Sequence, residues 1–219
     1  MTLVPLLLSL ALHQQPQQPD ARLAGHVPAA ALPGIQAAIA RAAQDSLPTE
    51  PLVEKALEGG AKGASADLIV GAVNAEAGRL RNARDLLRRV GARPPYPARE
   101  LESVSVALAR GVPDPVVMRV VAAVRDTQPG FALHAVADLS ARGFAPDSSA
   151  DLIIAAVGDG MSEHRLLDVA AAAEREVQRG STRAQALARI RSILPEVPPQ
   201  PMPPGAMQGA IRPRRPASP

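Results

Sequence analysis

Four histidines come first, because imidazole is both the commonest general base near neutral pH and a frequent zinc ligand. They are His13, His26, His134 and His164. Two imidazoles reach one metal from a helix when they stand four residues apart, and no pair here has that spacing. His134 and His164 read as surface residues at the start of helices. Carboxylate pairs come next, since two carboxyls in unlike environments can divide acid and base work. They are Glu100/Glu102, Asp147/Asp151 and Glu174/Glu176. Asp147 is expected to cap a helix and Asp151 to sit in its first turn, where the helix dipole favours it. Glu174 and Glu176 flank Arg175 and read as a solvated face. The loop Val157 to Ser162, VGDGMS, would offer backbone N–H groups to an anion or oxygens to a cation. No Gly-Lys-Ser/Thr follows it and the EF-hand spacing is absent, so a helix end, a turn and a new helix start account for all six residues. There is no Gly-x-Ser-x-Gly elbow, and neither lysine stands three residues after a serine. The expectation is no catalytic residue, no metal and no cofactor. If the chain is an enzyme, Asp147, Asp151, Asp159 and His164 are the one acid–base set that folding would bring together.

One segment is electrically polarised. Residues 79–93, RLRNARDLLRRVGAR, hold six arginines against Asp85. Leu80, Ala83, Leu87 and Val90 form an apolar stripe, with Arg81, Arg84 and Arg88 opposite. Arg79, Arg81, Arg84, Arg88 and Arg89 are therefore candidate contacts for a polyanion or an acidic partner. The alternative is a solvated helix with Arg81–Asp85 and Asp85–Arg89 pairs at i, i+4, worth a few tenths of a kcal/mol. Aromatic content weighs against nucleic acid and carbohydrate: two Phe, one Tyr and no Trp leave little to stack on bases or sugar rings. Tyr96, within Pro-Pro-Tyr-Pro, is either an exposed contact or a lid on the core.

The isoelectric point of 10.1 suggests a basic protein until the charges are placed. Residues 33–194 carry 20 Lys plus Arg against 19 Asp plus Glu. The segment is nearly neutral, and its preference for arginine over lysine fits a GC-rich bacterial genome. Cysteine is absent from all 219 residues, which excludes thiol catalysis, disulfides and cysteine-ligated metal.

The ends differ from the middle. Leu3 to Leu12 is an apolar run too short to span a bilayer, where about 20 helical residues are needed. It fits the core of a signal peptide over residues 1–13, with cleavage after Ala11 or after His13, although no Lys or Arg precedes it. A buried or frayed N-terminal helix is the other reading. Residues 14–32 are polar and proline-punctuated, and read as a disordered arm. Residues 195–219 hold nine prolines, which remove too many backbone donors for helix or central strand, and read as a disordered tail with polyproline II character.

Between the ends every long segment has helical spacing, with no alternating strand pattern. Helices are expected over 33–45, 50–59, 65–90 with a break near Gly78, 97–110, 115–127, 131–142, 148–158, 163–179 and 182–194. The fold class is all-α. Ser65 to Val73, SADLIVGAV, returns eighty-four residues later as SADLIIAAV, Ser149 to Val157, with seven of nine positions identical. Both stretches are apolar almost all round and read as buried inner helices. Each belongs to a longer unit of helix, glycine, short turn and helix. Gly60, Gly111, Gly143 and Gly180 are expected to end the first helix of a unit in the left-handed conformation. Val112 and Phe144 would pack back on it, and Asp114, Asp147, Ser65 or Ser181 would cap the next.

Such helical hairpins resemble HEAT- or armadillo-like α-solenoids in architecture, without a repeat consensus of either family. A compact helical array over residues 33–194 is the alternative. Taken together, the residues point to an exported bacterial protein, periplasmic or secreted, that binds another protein as a helical-repeat scaffold. They point away from nucleic acid and from a membrane span in the mature chain. Enzyme and polyanion binder remain the alternatives.

Overall fold

The computed structural model describes residues 19–124 and 129–194. Among these it contains ten α-helices and one 3-10 turn, and no strand. The chain divides between Arg81 and Asn82 into two compact units.

The first unit holds α1 (Pro19–Leu23), a 3-10 turn (Ala29–Ala31), α2 (Leu32–Gln44), α3 (Glu50–Ala61) and the first part of α4 (Ala66–Arg89). The structure corrects the reading of residues 19–32 as a disordered arm. Leu23, Val27 and Ala31 are buried, four residues apart, and α1 packs on both α2 and α3. The prolines taken for helix breakers act as starters: Pro19 opens α1 and Pro28 precedes the 3-10 turn, where a missing N–H costs nothing. Arg22 adds an ion pair in which its Nη1 donates to both carboxylate oxygens of Glu50, at 2.7 and 2.8 Å. The proposed signal and the rest of the arm lie outside the described residues, as does the proline-rich tail.

Two glycines let these helices approach. A Cβ on Gly34 would lie 2.9 Å from Val70, and one on Gly59 would lie 2.8 Å from Ile69. Gly78 does not break α4, which runs for 24 residues. A methyl there would meet nothing, and a lone helical glycine costs only about 1 kcal/mol.

The second unit holds the rest of α4, then α5 (Ala98–Ala109), α6 (Asp114–Ala123), α7 (Pro129–Ala141), α8 (Pro146–Gly158), α9 (Glu163–Gln178) and α10 (Arg183–Ser192). From α5 onward each helix packs on its successor and on the helix after that. Thus α5, α7 and α9 meet in succession, and so do α6, α8 and α10. Core side chains come from both series, among them Val104, Val117, Leu133, Leu139, Leu152, Ile153, Val169 and Ile190.

The turns follow one rule. Gly111 has φ +81°; its N–H donates to the Leu108 carbonyl at 3.0 Å, and the Val112 N–H reaches back to Ala107 at 3.1 Å. Gly143 and Phe144 do the same on α7, with Phe144 buried. This pair of bonds satisfies carbonyls that a helix end would leave bare. On α3 the residue in this role is Gly63, φ +66°, and Gly60 sits inside the helix. The caps also differ from expectation. Asp114 and Asp147 lie in first turns without capping hydrogen bonds, and the second copy of the turn is opened by Pro146. At α10 the cap is Thr182 rather than Ser181, in a reciprocal capping box with Gln185.

Ser46 breaks the pattern, because it ends α2 in the same geometry at φ +56° without being glycine. A side chain in that region costs roughly 1 kcal/mol. Ser46→Gly is expected to raise Tm by about 2 °C in thermal unfolding, the gain being reduced by the extra freedom of glycine in the unfolded chain. A lower Tm would show that the serine side chain contributes more than it strains.

Candidate functional site

The acid–base set does not assemble. Asp147 and Asp151 stand one turn apart at the start of α8, and Arg119 of α6 bridges them, at 3.0 Å to Asp147 and 3.1 Å to Asp151. The same guanidinium donates to the Asp147 carbonyl at 3.1 Å. These carboxylates therefore tie α6 to α8. Asp159 follows the other end of α8, twelve residues from Asp147, which the helical rise converts to about 18 Å. His164, on α9, is exposed and packs edge-on against Phe131 with ring centroids 5.2 Å apart. Among the described residues no three His, Asp or Glu are gathered as a metal site.

Glu100 is half-buried, and burial pushes its carboxyl above the usual range against the opposing pull of Arg99. Glu176 corrects the reading of a solvated face: it is only 6% exposed and lies between Arg179 at 2.6 Å and Arg189 of α10 at 3.3 Å. It clamps α9 to α10.

His134 departs from the surface reading. It is half-buried on α7, and burial, assisted by the charge of Arg110, lowers its pKa below 6.5. The unfolded chain then takes up a proton before the folded one does. Stability is expected to fall as pH drops through 6.5 toward the folded pKa, and to level off below it. Subtracting the profile of His134→Gln, in urea titrations between pH 8 and 5, isolates this contribution; parallel profiles would show that His134 is not its source.

The arginines lie in both units. In the first, Arg79 pairs with the buried Glu76, and Arg81 makes no ion pair among the described residues. In the second, Asp85 is met by Arg84 at 3.9 Å and Arg88 at 3.4 Å, not by Arg81 and Arg89 as the i, i+4 spacing suggested. The buried stripe includes Leu86 beside Leu80, Ala83 and Leu87, while Val90 is partly open. Tyr96 is half-buried with its hydroxyl 3.5 Å from the Ala92 carbonyl, to which it donates.

The sharpest contrast lies between the two copies of the nonapeptide. In the second, Ser149 and Leu152 are buried, and Ser149 Oγ donates to the Ala145 carbonyl at 2.9 Å. Ser148, Asp151 and Leu152 of α8 line one groove with Ala184, Leu187, Ala188 and Arg191 of α10. In the first, the equivalent positions are Ala64, Asp67 and Leu68. Leu68 is 68% exposed where Leu152 is 2% exposed, and Ser65 and Asp67 are exposed with it. Gly71, equivalent to Ala155, faces open space. Both copies were expected to be inner helices, and this face of the first copy is not. Nothing in the nonapeptide signals the difference; only the repeat marks where to look.

No family model, curated protein or solved structure matches the chain.

Proposed function

We propose that the protein is an exported scaffold that engages another macromolecule through its helices, with α5–α10 forming a short α-solenoid-like stack. The observation that carries the reading is the bare first copy. A leucine that the same sequence buries in α8 stands in water in α4, and covering it would stabilise a complex by about 2 kcal/mol. A stack of helical pairs suits this role, since surface is added by repetition without a catalytic centre. Export is supported by the apolar run before residue 14. No helix among the described residues is long and apolar enough to cross a membrane, which bears on a membrane span and not on export.

The test is affinity purification of the tagged chain from the envelope fraction of its own organism under mild cross-linking, beside a form ending at residue 194. N-terminal sequencing of the same material reads out processing. A stoichiometric partner and a start at Leu12 or Gln14 are expected. Loss of the partner on truncation would place binding in the tail, and recovery of unprocessed chain from the cytosol would remove export.

A further inference from the structure

We propose that the α4 face formed by Asp67, Leu68 and Gly71, with Ala64 in the turn just before it, receives a short basic amphipathic helix of a protein partner, with the side-chain chemistry of α10. This rests on the scaffold reading and states which surface is engaged and by what. The chain contains its own template. On α8, the positions 148, 151 and 152 border one groove with residues 184, 187, 188 and 191 of α10, so both helices present an i, i+3, i+4 ridge to it. On α4 the Asp and Leu recur unchanged as Asp67 and Leu68, one turn before Gly71, while the position equivalent to Ser148 falls on Ala64, two residues before the helix starts. Ala64 and Gly71 replace Ser148 and Ala155, so an incoming helix can approach at least as closely.

Charge narrows the occupant. Asp151 is neutralised by Arg119 and shares its groove with Arg191. Asp67 is exposed and makes no ion pair among the described residues. Its complement is an arginine one turn beyond a leucine, the relation of Leu187 to Arg191 in α10. Partial neutralisation beside an apolar contact favours a basic helix over an acidic one. A single helix covers little area, so affinity should be modest, with Kd on the order of 100 μM.

The probe is a fluorescent peptide with the sequence of residues 181–194, STRAQALARIRSIL, titrated with the full chain and followed by anisotropy. Saturable binding is expected, at least ten-fold weaker to Leu68→Glu and several-fold weaker to Asp67→Arg. A peptide carrying Arg191→Asp should recover the loss in Asp67→Arg, a coupling that general destabilisation would not produce. Because Leu68 is exposed, Leu68→Glu should keep the wild-type circular dichroism. Equal binding to wild type and Leu68→Glu would mean that the peptide displaces α10 from α8, and would overturn the proposal. So would absence of saturation at 1 mM peptide-binding sites, roughly ten times the expected Kd. A dimer in sedimentation velocity that Leu68→Glu abolishes would give the face to a second copy instead. A partner that co-purifies equally with Leu68→Glu would leave the scaffold standing and remove this site from it.

Discussion

Gly60→Ala is expected to cost about 3 kcal/mol, the scale of severe overpacking, and to lower Tm by roughly 6–12 °C. Gly60 lies inside α3, where alanine is ordinarily the better residue. Its Cβ, however, would sit 1.9 Å from the carbonyl oxygen of His26, in the turn after α1. The obstacle is backbone, so no rotamer change relieves it. That turn is anchored on either side by buried Leu23 and Val27, and it cannot retreat without drawing both from the core. Gly78→Ala supplies the control within the same unit. Its methyl meets nothing, so helix propensity alone should act and stability should rise by about 0.5–1 kcal/mol. If the chain relieves the clash locally, residues 19–31 will detach, and tryptic cleavage at Arg22 will quicken before global unfolding changes. A Gly60→Ala protein with unchanged Tm and unchanged cleavage would refute the close approach.

Phe144→Ala should be of similar size in the second unit, about 4 kcal/mol. Phe144 is buried directly after the left-handed Gly143, where its ring covers the helix it has just left. Arg183 of α10 stands 5.9 Å above the ring, and its Nε donates to the Arg142 carbonyl at 3.0 Å. One aromatic side chain thus joins the α7–α8 turn to the start of α10. Removing the ring loses the transfer free energy and leaves a cavity that the two helices can only partly close. Arg183→Ala should cost less, about 1 kcal/mol, because an exposed cation over a ring is weakly held. Urea unfolding of both variants and of the double variant separates the terms. A Phe144→Ala loss below 1 kcal/mol would mean that the turn is not packed as described.

Much of the fold was legible because helix ends are local events. The residues that stop α5 and α7, Gly111 and Gly143 with Val112 and Phe144 behind them, declare a left-handed turn whatever surrounds them. The helical spacing placed α2 through α10 within a few residues. Even the errors at helix starts, Asp114 for Pro113 and Ser181 for Thr182, are shifts of one position, and in the second the neighbouring hydroxyl does the same work.

The candidate sites were far less legible, because a side chain's surroundings are supplied by whatever arrives from elsewhere in the chain. Glu176 resembles any surface glutamate until α10 brings Arg189 beside it. Asp147 and Asp151 look like an acid–base pair until α6 places Arg119 between them. Residues 19–31 read as a polar arm because three buried side chains among the eleven described at 21–31 are a weak pattern; only their fit against α2 and α3 makes them core. The nonapeptide shows the division most plainly. Its sequence determined a helix in both copies, through the same propensities. Whether Leu68 or Leu152 was buried was decided by tertiary structure alone, since burial requires a second surface, and the helices packed on α8 supply one.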